Sequence, residues 1–315
     1  MARLGRIAFL GSGAFAVPLL ARLPALTDAL LVVSAPDRPA GRKLLQRAAP
    51  VAAFAREAGL ELATPARLRS DEGRAQLHAF EPDGLLLAAY GQLVPADLLP
   101  IAPRNPLNVH PSLLPRHRGA DPVAATILAG DGEAGITLMV MTERLDAGPI
   151  VAQWPLALTG REEAPDLEAR LAELAADVVP PLLQRWADGR LPATAQDETA
   201  ASLVRPFTRA DGWIEWQRDA SAIDRQVRAL QPWPGAWTTF EDRRLHVRRA
   251  NAVDGVGDLP AGTLLPGDPP RVACGSGALL LELVQPEGRP PMSGGDWRRG
   301  LPRDHIRLGD RLAND

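Results

Sequence analysis

The sequence predicts an α/β first domain with a largely parallel sheet, followed by a smaller, β-rich second domain. Short apolar runs alternate with helix-like stretches through the first half of the chain, which is typical of parallel strands connected by helices. Beyond residue 206 the pattern changes to short strand-like pieces separated by Gly and Pro, which favours a small barrel. The chain has 315 residues, which suffices for both at roughly 150 residues per domain.

The first domain, predicted over residues 1–189, contains apolar runs that indicate buried strands. They are residues 7–10, 30–34, 85–89, 107–110 and 137–141. Helices are predicted over residues 15–23 and 51–58, the second of them ended by Gly59. A further helix begins near Asp166, and Pro180 and Pro181 should end or kink it. One face of that helix carries Leu167, Leu171, Leu174 and Val178.

Residues 190–205 have little periodicity and several polar side chains, so we predict a linker there. The second domain is then predicted over residues 206–315. It should begin with a helix over residues 219–230. Four strand-like pieces follow, over residues 244–248, 262–265, 271–273 and 279–283.

Composition and charge exclude several classes of protein. Hydrophobic residues make up 46% and charged residues 23%, so the chain is not disordered throughout. The net charge of −3 excludes a uniformly basic nucleic-acid binder but leaves room for a local basic face. A single cysteine, Cys274, excludes a disulfide framework and a multi-cysteine metal site. No apolar run reaches the roughly 18 residues of a membrane span, so a cytoplasmic protein is expected. No bound metal is expected either.

A glycine-rich turn near the N-terminus offers one functional hypothesis. Gly11, Gly13 and Ala16 fit the pattern G-x-G-x-x-G/A after a predicted strand, and Asp37 lies where a ribose-binding acid could stand. A dinucleotide enzyme or nucleotide-binding module is therefore an alternative. The pattern is short, however, and Asp37 lies within a Pro-flanked, loop-like segment. We favour a simple tight turn between strand and helix.

Three polar residues carry a more specific chemical signal. On a strand over residues 107–110, Asn108 and His110 would project on the same side. Asp146 follows the next strand-like run, in a loop that contains Gly148. If the two strands are neighbours, a carboxylate meets an amide and an imidazole at one edge of the sheet.

This trio suits direct attack of an amine on an acyl carbon. The oxyanion of the tetrahedral intermediate needs hydrogen-bond donors, which Asn108 and protonated His110 can supply. The amine must lose a proton and the leaving nitrogen must gain one, and histidine is suited to both transfers. A carboxylate such as Asp146 orients the imidazole. No serine or cysteine nucleophile is required.

The residues around this trio resemble the formyltransferases that use 10-formyltetrahydrofolate. Asn108-Val-His110 resembles their catalytic Asn-x-His, and Leu145-Asp146-Ala-Gly148 resembles their catalytic Asp segment. The resemblance implies that Asn108, His110 and Asp146 are catalytic. It also implies folate as co-substrate, with contacts from Ser112, Leu113, Leu114 and Pro115 and, on another wall of the pocket, from Tyr90 and Leu93.

Within that superfamily the chain is most similar to the methionyl-tRNA formyltransferases, and the similarity is colinear over nearly the whole sequence. It extends over residues 11–16, 36–42, 196–199, 213–216 and 232–237. It implies a Rossmann-like formyltransferase domain and an OB-like tRNA-binding domain, acting as a monomer. The partner implied is initiator methionyl-tRNA, and the product N-formylmethionyl-tRNA serves translation initiation. The basic residues expected to face the tRNA are Arg38, Arg42 and Lys43.

Two further features bear on the partner. Arginine pairs at 243–244, 248–249 and 298–299 are candidate phosphate contacts or solvated surface. Trp213, Trp216, Trp233 and Trp237 are expected mainly in the core of the second domain. The main alternative is a folate-dependent formyltransferase that acts on an amino sugar nucleotide or another amine. It would share the chemistry and change only the acceptor. A formyl-folate hydrolase is a further alternative, whereas a formyl-folate dehydrogenase would need a further large domain.

Overall fold

A computed structural model describes residues 3–40, 45–255, 257, 259–301 and 306–309. The chain forms two compact units. The first comprises Met1–Pro122, Glu133–Ala157 and Asp166–Arg205. The second comprises Val123–Gly132, Leu158–Pro165 and Pro206–Asp315. The segment predicted as a linker, 190–205, thus lies in the first unit, and two segments from within residues 1–189 lie in the second.

The strands in chain order are β1 Arg6–Gly11, β2 Ala29–Val33, β3 Arg38–Ala40, β4 Leu45–Arg47, β5 Glu61–Ala63, β6 Gly84–Ala88, β7 Leu107–His110, β8 Arg118–Gly119, β9 Glu133–Val140, β10 Ile150–Ala157, β11 Leu203–Val204, β12 Ala236–Phe240, β13 Arg243–Val253, β14 Leu264–Leu265, β15 Arg271–Ala273, β16 Ala278–Pro286 and β17 Met292–Ser293. The α-helices are α1 Val17–Arg22, α2 Pro50–Glu57, α3 Asp71–Phe80, α4 Pro122–Ala129, α5 Ala164–Val178, α6 Pro180–Ala187, α7 Ala220–Ala229 and α8 Gly294–Arg299.

A seven-stranded sheet forms the centre of the first unit. Its order is β10-β9-β7-β6-β1-β2-β5. The five strands from β7 to β5 are parallel, whereas β9 and β10 add to one edge in antiparallel orientation. The predicted α/β class is confirmed. The parallel strands are nearly continuous apolar runs because both faces of such a sheet are covered.

The helices of the first unit begin and end where the sequence provides the signals. Pro50 stands at the first position of α2, and Gly59 follows its end in the left-handed conformation. The predicted break at Pro180 is confirmed, because α5 ends at Val178 and Pro180 begins α6. Trp186 of α6 packs so closely on Gly84 of β6 that a side chain there would collide with the indole ring.

The second unit contains a sheet of antiparallel strands, which confirms the predicted β-rich second domain. Its sheet has the order β12-β13-β16-β15-β14, and β17 pairs with β16. The core includes Trp216, Ile223 of α7, Val247 and Leu281. Of the four tryptophans expected in this core, Trp216 and Trp237 are buried and Trp213 packs edge-on against Trp237 at 4.9 Å. Trp233 departs from the expectation because 63% of it is exposed.

Candidate active site

Asn108 and His110 lie on β7, and their side chains project from the same side of the strand towards Asp146. Asn108 Nδ2 is 3.4 Å from Asp146 Oδ1, and His110 Nδ1 is 3.7 Å from Asp146 Oδ2. All three side chains are buried, with between 5% and 8% of each residue exposed. The alternation of a strand therefore brings the amide and the imidazole to one carboxylate, as the spacing predicts.

Asp146 reaches this position on a loop that folds back over the strand. Because β9 is antiparallel to β7, its last residue, Val140, pairs with Leu107 at the amino-terminal end of β7. The chain then returns, so that Asp146 lies beside side chains of β7 instead of at a strand end. Asp146 is left-handed, with a φ of 49°, and a side chain on Gly148 would collide with the carbonyl oxygen of Val140.

Both ring nitrogens of His110 face oxygen atoms. Nε2 lies 2.9 Å from the backbone carbonyl of His117, while Nδ1 faces Asp146. A carbonyl oxygen can only accept, so Nε2 carries a proton in this arrangement. Asp146 Oδ2 also accepts the backbone N–H of Gly119 at 2.9 Å. The carboxylate therefore accepts hydrogen bonds from two separate segments, through Asn108 and Gly119, and lies next to His110 Nδ1.

Asn108 retains hydrogen-bonding capacity beyond its contact with Asp146. The carboxylate fixes the orientation of the amide, because only Nδ2 can donate to it. Oδ1 is buried and has no partner among the residues that the structure describes. A buried, unsatisfied acceptor is costly, so this atom is well suited to accept an N–H from a bound molecule.

The predicted folate loop, residues 112–115, is fixed from β9 and β10. Thr137 Oγ1 donates to the carbonyl of Ser112 at 2.6 Å and accepts the N–H of Leu114 at 3.1 Å. Gln153 Nε2 donates to the carbonyl of Leu114 at 2.8 Å. Leu113 lies against Gly135, whose Cα has room for no side chain. Leu114 is buried and Pro115 is half-buried, and the hydrogen bonds from Thr137 and Gln153 fix the backbone of the loop.

The second predicted folate wall contains one deeply buried residue and one exposed residue. Tyr90 packs in an apolar cluster with Leu10, Leu77 and Leu98, and burial raises the pKa of its hydroxyl to about 12. Leu93, in contrast, is 77% exposed. Within the described part of the chain, the Tyr90 hydroxyl and Gln92 Nε2 are buried without hydrogen-bond partners.

The glycine-rich turn does not offer the features of a dinucleotide site. The backbone N–H groups of Ser12 and Gly13 both donate to the carbonyl of Ala89, at 3.0 and 2.9 Å. Asp37 forms a bidentate pair with Arg56, at 3.0 and 3.2 Å. Because these groups are committed to internal contacts, the turn is a structural junction between β1 and the helix after it.

Of the three basic residues expected to face tRNA, the structure places one. Arg38 is exposed on β3 and pairs in register with Arg47 on β4. Arg42 and Lys43 lie outside the described residues. Like charges opposite one another in an antiparallel pair repel. A phosphate that lay between them would relieve this repulsion.

Three residues that the sequence did not single out as site residues complete the site, namely Arg118, Gly119 and Gln196. Gly119 holds the Asp146 carboxylate, as described above. Gln196 Nε2 donates to the backbone carbonyls of Asp146 and Gly148, at 2.9 and 2.7 Å. Gln196 Oε1 in turn accepts hydrogen bonds from Arg118, at 3.0 Å from Nε and 2.7 Å from Nη2.

Neither a membrane span nor a metal site is visible in the described residues. No helix in those ranges is both long enough and apolar enough to cross a bilayer. Over the same part of the chain, no three His, Cys, Asp or Glu side chains are grouped so that they could bind a metal ion.

Comparison with known proteins places both parts of the chain in one family. The formyl transferase family model matches residues 5–183, and the model of its C-terminal domain matches residues 206–302. A methionyl-tRNA formyltransferase of Roseiflexus sp. (strain RS-1) is 42% identical over 313 residues, covering 98% of this chain and 95% of that protein. One from Anaeromyxobacter dehalogenans is 42% identical over 311 residues, covering 96% and 99%.

Solved structures share the fold at low sequence identity. HypX from Aquifex aeolicus in complex with tetrahydrofolic acid superposes with a TM-score of 0.63 at 16% identity, over 96% of this chain and 50% of that one. The sugar 3N-formyltransferase WlaRD gives a TM-score of 0.63 at 14% identity, over 92% and 100%. With family models that match most of the sequence and full-length relatives at 42% identity, the chain belongs to the methionyl-tRNA formyltransferases, a family of one-carbon transferases.

Proposed function

We propose that this protein transfers the formyl group of 10-formyltetrahydrofolate to the α-amino group of methionyl-initiator-tRNA. The product is N-formylmethionyl-tRNA. The observation that carries the proposal is the shared carboxylate of Asp146, on which Asn108, His110 and Gly119 converge. The names of the full-length relatives support the same acceptor.

Each member of the trio has a role in the chemistry. The bound folate would supply the formyl carbon. The attacking amine loses a proton and the folate nitrogen gains one, so a group that can hold a proton between the two events is needed. His110 suits this role because both of its ring nitrogens face oxygen acceptors. Asn108 gives one N–H to Asp146 and has a second that can stabilise a developing oxyanion.

The structure suits a folate molecule next to this trio. A pterin ring has several donors and acceptors and needs polar partners in an otherwise apolar pocket. Within the described ranges, Tyr90 Oη and Gln92 Nε2 are buried polar atoms without partners. Residues 112–115 begin two positions after His110 and are fixed by Thr137. We therefore propose that Ser112, Leu113, Leu114, Pro115, Tyr90 and Leu93 border the folate.

Two surfaces, one in each unit, could bind the tRNA. We propose that the strands around Arg38 and Arg47 contact the backbone of the acceptor stem, together with Arg42 and Lys43. In the second unit, Arg244 stacks on Trp237 at 4.4 Å from the ring centre. Arg248 Nη2 donates to Gln285 Oε1 at 2.7 Å. Because the glutamine amide is neutral, this contact does not compensate the positive charge of Arg248. Such contacts neutralise phosphates without reading sequence.

A formylation assay with methionyl-initiator-tRNA and 10-formyltetrahydrofolate tests the function. The wild-type chain should formylate the charged tRNA, and His110→Ala or Asp146→Ala should lower kcat by about 10²- to 10⁴-fold. His78→Ala is the matched control, since this histidine is exposed on α3. Near-wild-type turnover of the folded His110 and Asp146 variants would remove the catalytic assignments.

The same assay separates the alternative acceptor. An amino sugar nucleotide offered in place of the charged tRNA should not be formylated at a comparable rate. Efficient formylation of the sugar amine, with none of the tRNA, would overturn the proposed acceptor while leaving the chemistry of the trio intact.

A further inference from the structure

The segment that follows α6 and leads to β11 contacts the catalytic loops at several points. Gln196 donates both N–H groups of its amide to the carbonyls of Asp146 and Gly148. These two carbonyls flank Ala147, so one side chain holds the turn on both sides. Asp146 needs such support because a left-handed non-glycine residue is strained, by about 1 kcal/mol or more.

The orientation of Gln196 is itself fixed. Its Oε1 accepts from Nε and Nη2 of Arg118, whose side chain is 4% exposed. Arg118 also forms a bidentate pair with Glu198, at 3.1 and 3.2 Å. A partner that can only donate must meet the amide oxygen, so Arg118 decides that the amide nitrogen faces Asp146.

These contacts close a ring around Asp146. Gln196 donates to the backbone carbonyl of Asp146, and Arg118 donates to Gln196. Gly119, which follows Arg118 in the chain, donates its N–H to the Asp146 carboxylate. Backbone and side chain of the same residue are thus fixed from two directions. A shift of Gln196 would rotate the carboxylate away from Asn108 and His110.

The same segment also supports the other side of His110. The N–H of His117 donates to Ser202 Oγ at 2.8 Å, and the N–H of Arg118 donates to the carbonyl of Ser202 at 2.9 Å. His117 supplies the carbonyl that accepts from His110 Nε2. Gln196 and Ser202 therefore support the two partners of the His110 ring, Asp146 and His117.

We propose that Gln196 is a positioning residue for formyl transfer, which acts by fixing the backbone of Asp146 and so the direction of its carboxylate. This inference rests on the proposed function of the Asp146 site. Gln196 need not touch either substrate, so its effect should fall on turnover. A displacement of about 1 Å in a catalytic group can cost about 10²-fold in rate.

A double-mutant cycle tests the proposal. Gln196→Ala should lower kcat by 10- to 100-fold and change KM for either substrate by less than threefold. Gln196→Glu keeps an acceptor for Arg118 but cannot donate to the two carbonyls, so it should lose a similar factor. In an Asp146→Asn background, Gln196→Ala should cost less than a further threefold, because Gln196 acts through that carboxylate.

Asp197→Ala is the matched control. Asp197 is the next residue along the chain and is exposed, and its carboxylate caps Thr199. This variant should keep wild-type kcat. Wild-type turnover in Gln196→Ala, or a full additional loss in the Asp146→Asn background, would overturn the positioning role.

A second readout is independent of activity. The Gly119 amide proton points at the Asp146 carboxylate, so its NMR shift and exchange rate report the position of Asp146. In glycine-labelled protein, Gln196→Ala should move this resonance and accelerate its exchange, whereas Asp197→Ala should do neither.

If the wild type fails to formylate the tRNA, the proposed function fails. An unchanged Gly119 resonance would overturn the role of Gln196 in either case.

Discussion

Gly119 donates its backbone N–H to Asp146 Oδ2 at 2.9 Å, the same oxygen that lies 3.7 Å from His110 Nδ1. A backbone donor has no rotamer freedom, so it fixes a carboxylate more tightly than a side chain would. Glycine is required for two reasons. Its φ is 114°, and a side chain would collide with the carbonyl oxygen of Val204 on β11.

Gly119→Ala should therefore disable the site without unfolding the chain. The added methyl group must push β8 away from β11, and the N–H then no longer meets Asp146. We expect kcat to fall by about 10²-fold, measured as formylation of charged tRNA. Gly59→Ala is the control, because Gly59 also has a positive φ, of 65°, but has open space around its Cα. Equal losses of kcat in the two variants would contradict this account.

Thr137→Val should weaken folate binding. The hydroxyl of Thr137 joins the carbonyl of Ser112, the N–H of Leu114 and the amide of Gln153. Its loss leaves the buried carbonyl of Ser112 and the buried N–H of Leu114 unpaired, at about 1–3 kcal/mol. We expect KM for 10-formyltetrahydrofolate to rise by roughly tenfold and kcat to change less than threefold, as measured by steady-state kinetics.

Thr238→Val controls for a general loss of stability. Thr238 is fully buried in the second unit and accepts a hydrogen bond from Trp216 Nε1 at 3.1 Å. This substitution should lower the free energy of unfolding by a similar amount and leave the folate KM unchanged. If the KM for folate were the same in Thr137→Val as in the wild type, residues 112–115 would not contribute to folate binding.

The sequence predicts the centre of the site but not its supports. Alternation along a short strand was enough to place Asn108 beside His110. The contacts of Gln196 with Asp146 and Arg118, in contrast, span 50 and 78 residues of chain. Such contacts leave no local periodicity, so residues 190–205 showed only a polar, irregular segment.

Elements that the sequence analysis missed have similarly physical reasons. β10 contains Pro155, which argues against a strand, but β10 is at the edge of its sheet, where proline is tolerated. α3 has few apolar residues, although Ser70 caps it by accepting the N–H of Gly73. Residues 158–165 belong to the second unit, in which Arg228 donates to the carbonyl of Glu162, 66 residues away.

Arg248 and Arg299 should differ in their effect on tRNA binding. Arg248 is held by neutral glutamines, whereas Arg299 is paired with the carboxylates of Asp268 and Asp296. Arg248→Gln should weaken binding of charged tRNA and reduce the slope of log K against log salt by about one unit. Arg299→Gln should change the slope far less, because its charge is already compensated. Binding measured over a series of salt concentrations decides this, and identical slopes in all three proteins would rule out a phosphate contact at Arg248.

His246 should make the stability of the chain depend on pH. Burial is the main cause that lowers the pKa of this side chain from 6.5 to about 4. The charges of Arg248, Arg244 and Arg209 contribute to the same shift, and Glu287 opposes it. The folded state therefore disfavours the imidazolium. Because the unfolded chain binds the proton more readily, the free energy of unfolding is unaffected by His246 above pH 6.5 and falls progressively as the pH drops towards 4. The total loss is at most about 3 kcal/mol, since partial exposure screens the charges.

His246→Gln should flatten this dependence. The free energy of unfolding, measured by urea titration between pH 4 and pH 7.5, should fall less steeply below pH 6.5 in the variant than in the wild type. His78→Gln, at an exposed position on α3, should retain the wild-type slope. His246 is neutral at pH 7, so the salt dependence of tRNA binding should not change between pH 7 and pH 8. This should hold for the wild type and for His246→Gln. If the free energy of unfolding fell more steeply with decreasing pH in His246→Gln than in the wild type, His246 would be protonated in the folded protein, and burial and the neighbouring arginines would not lower its pKa.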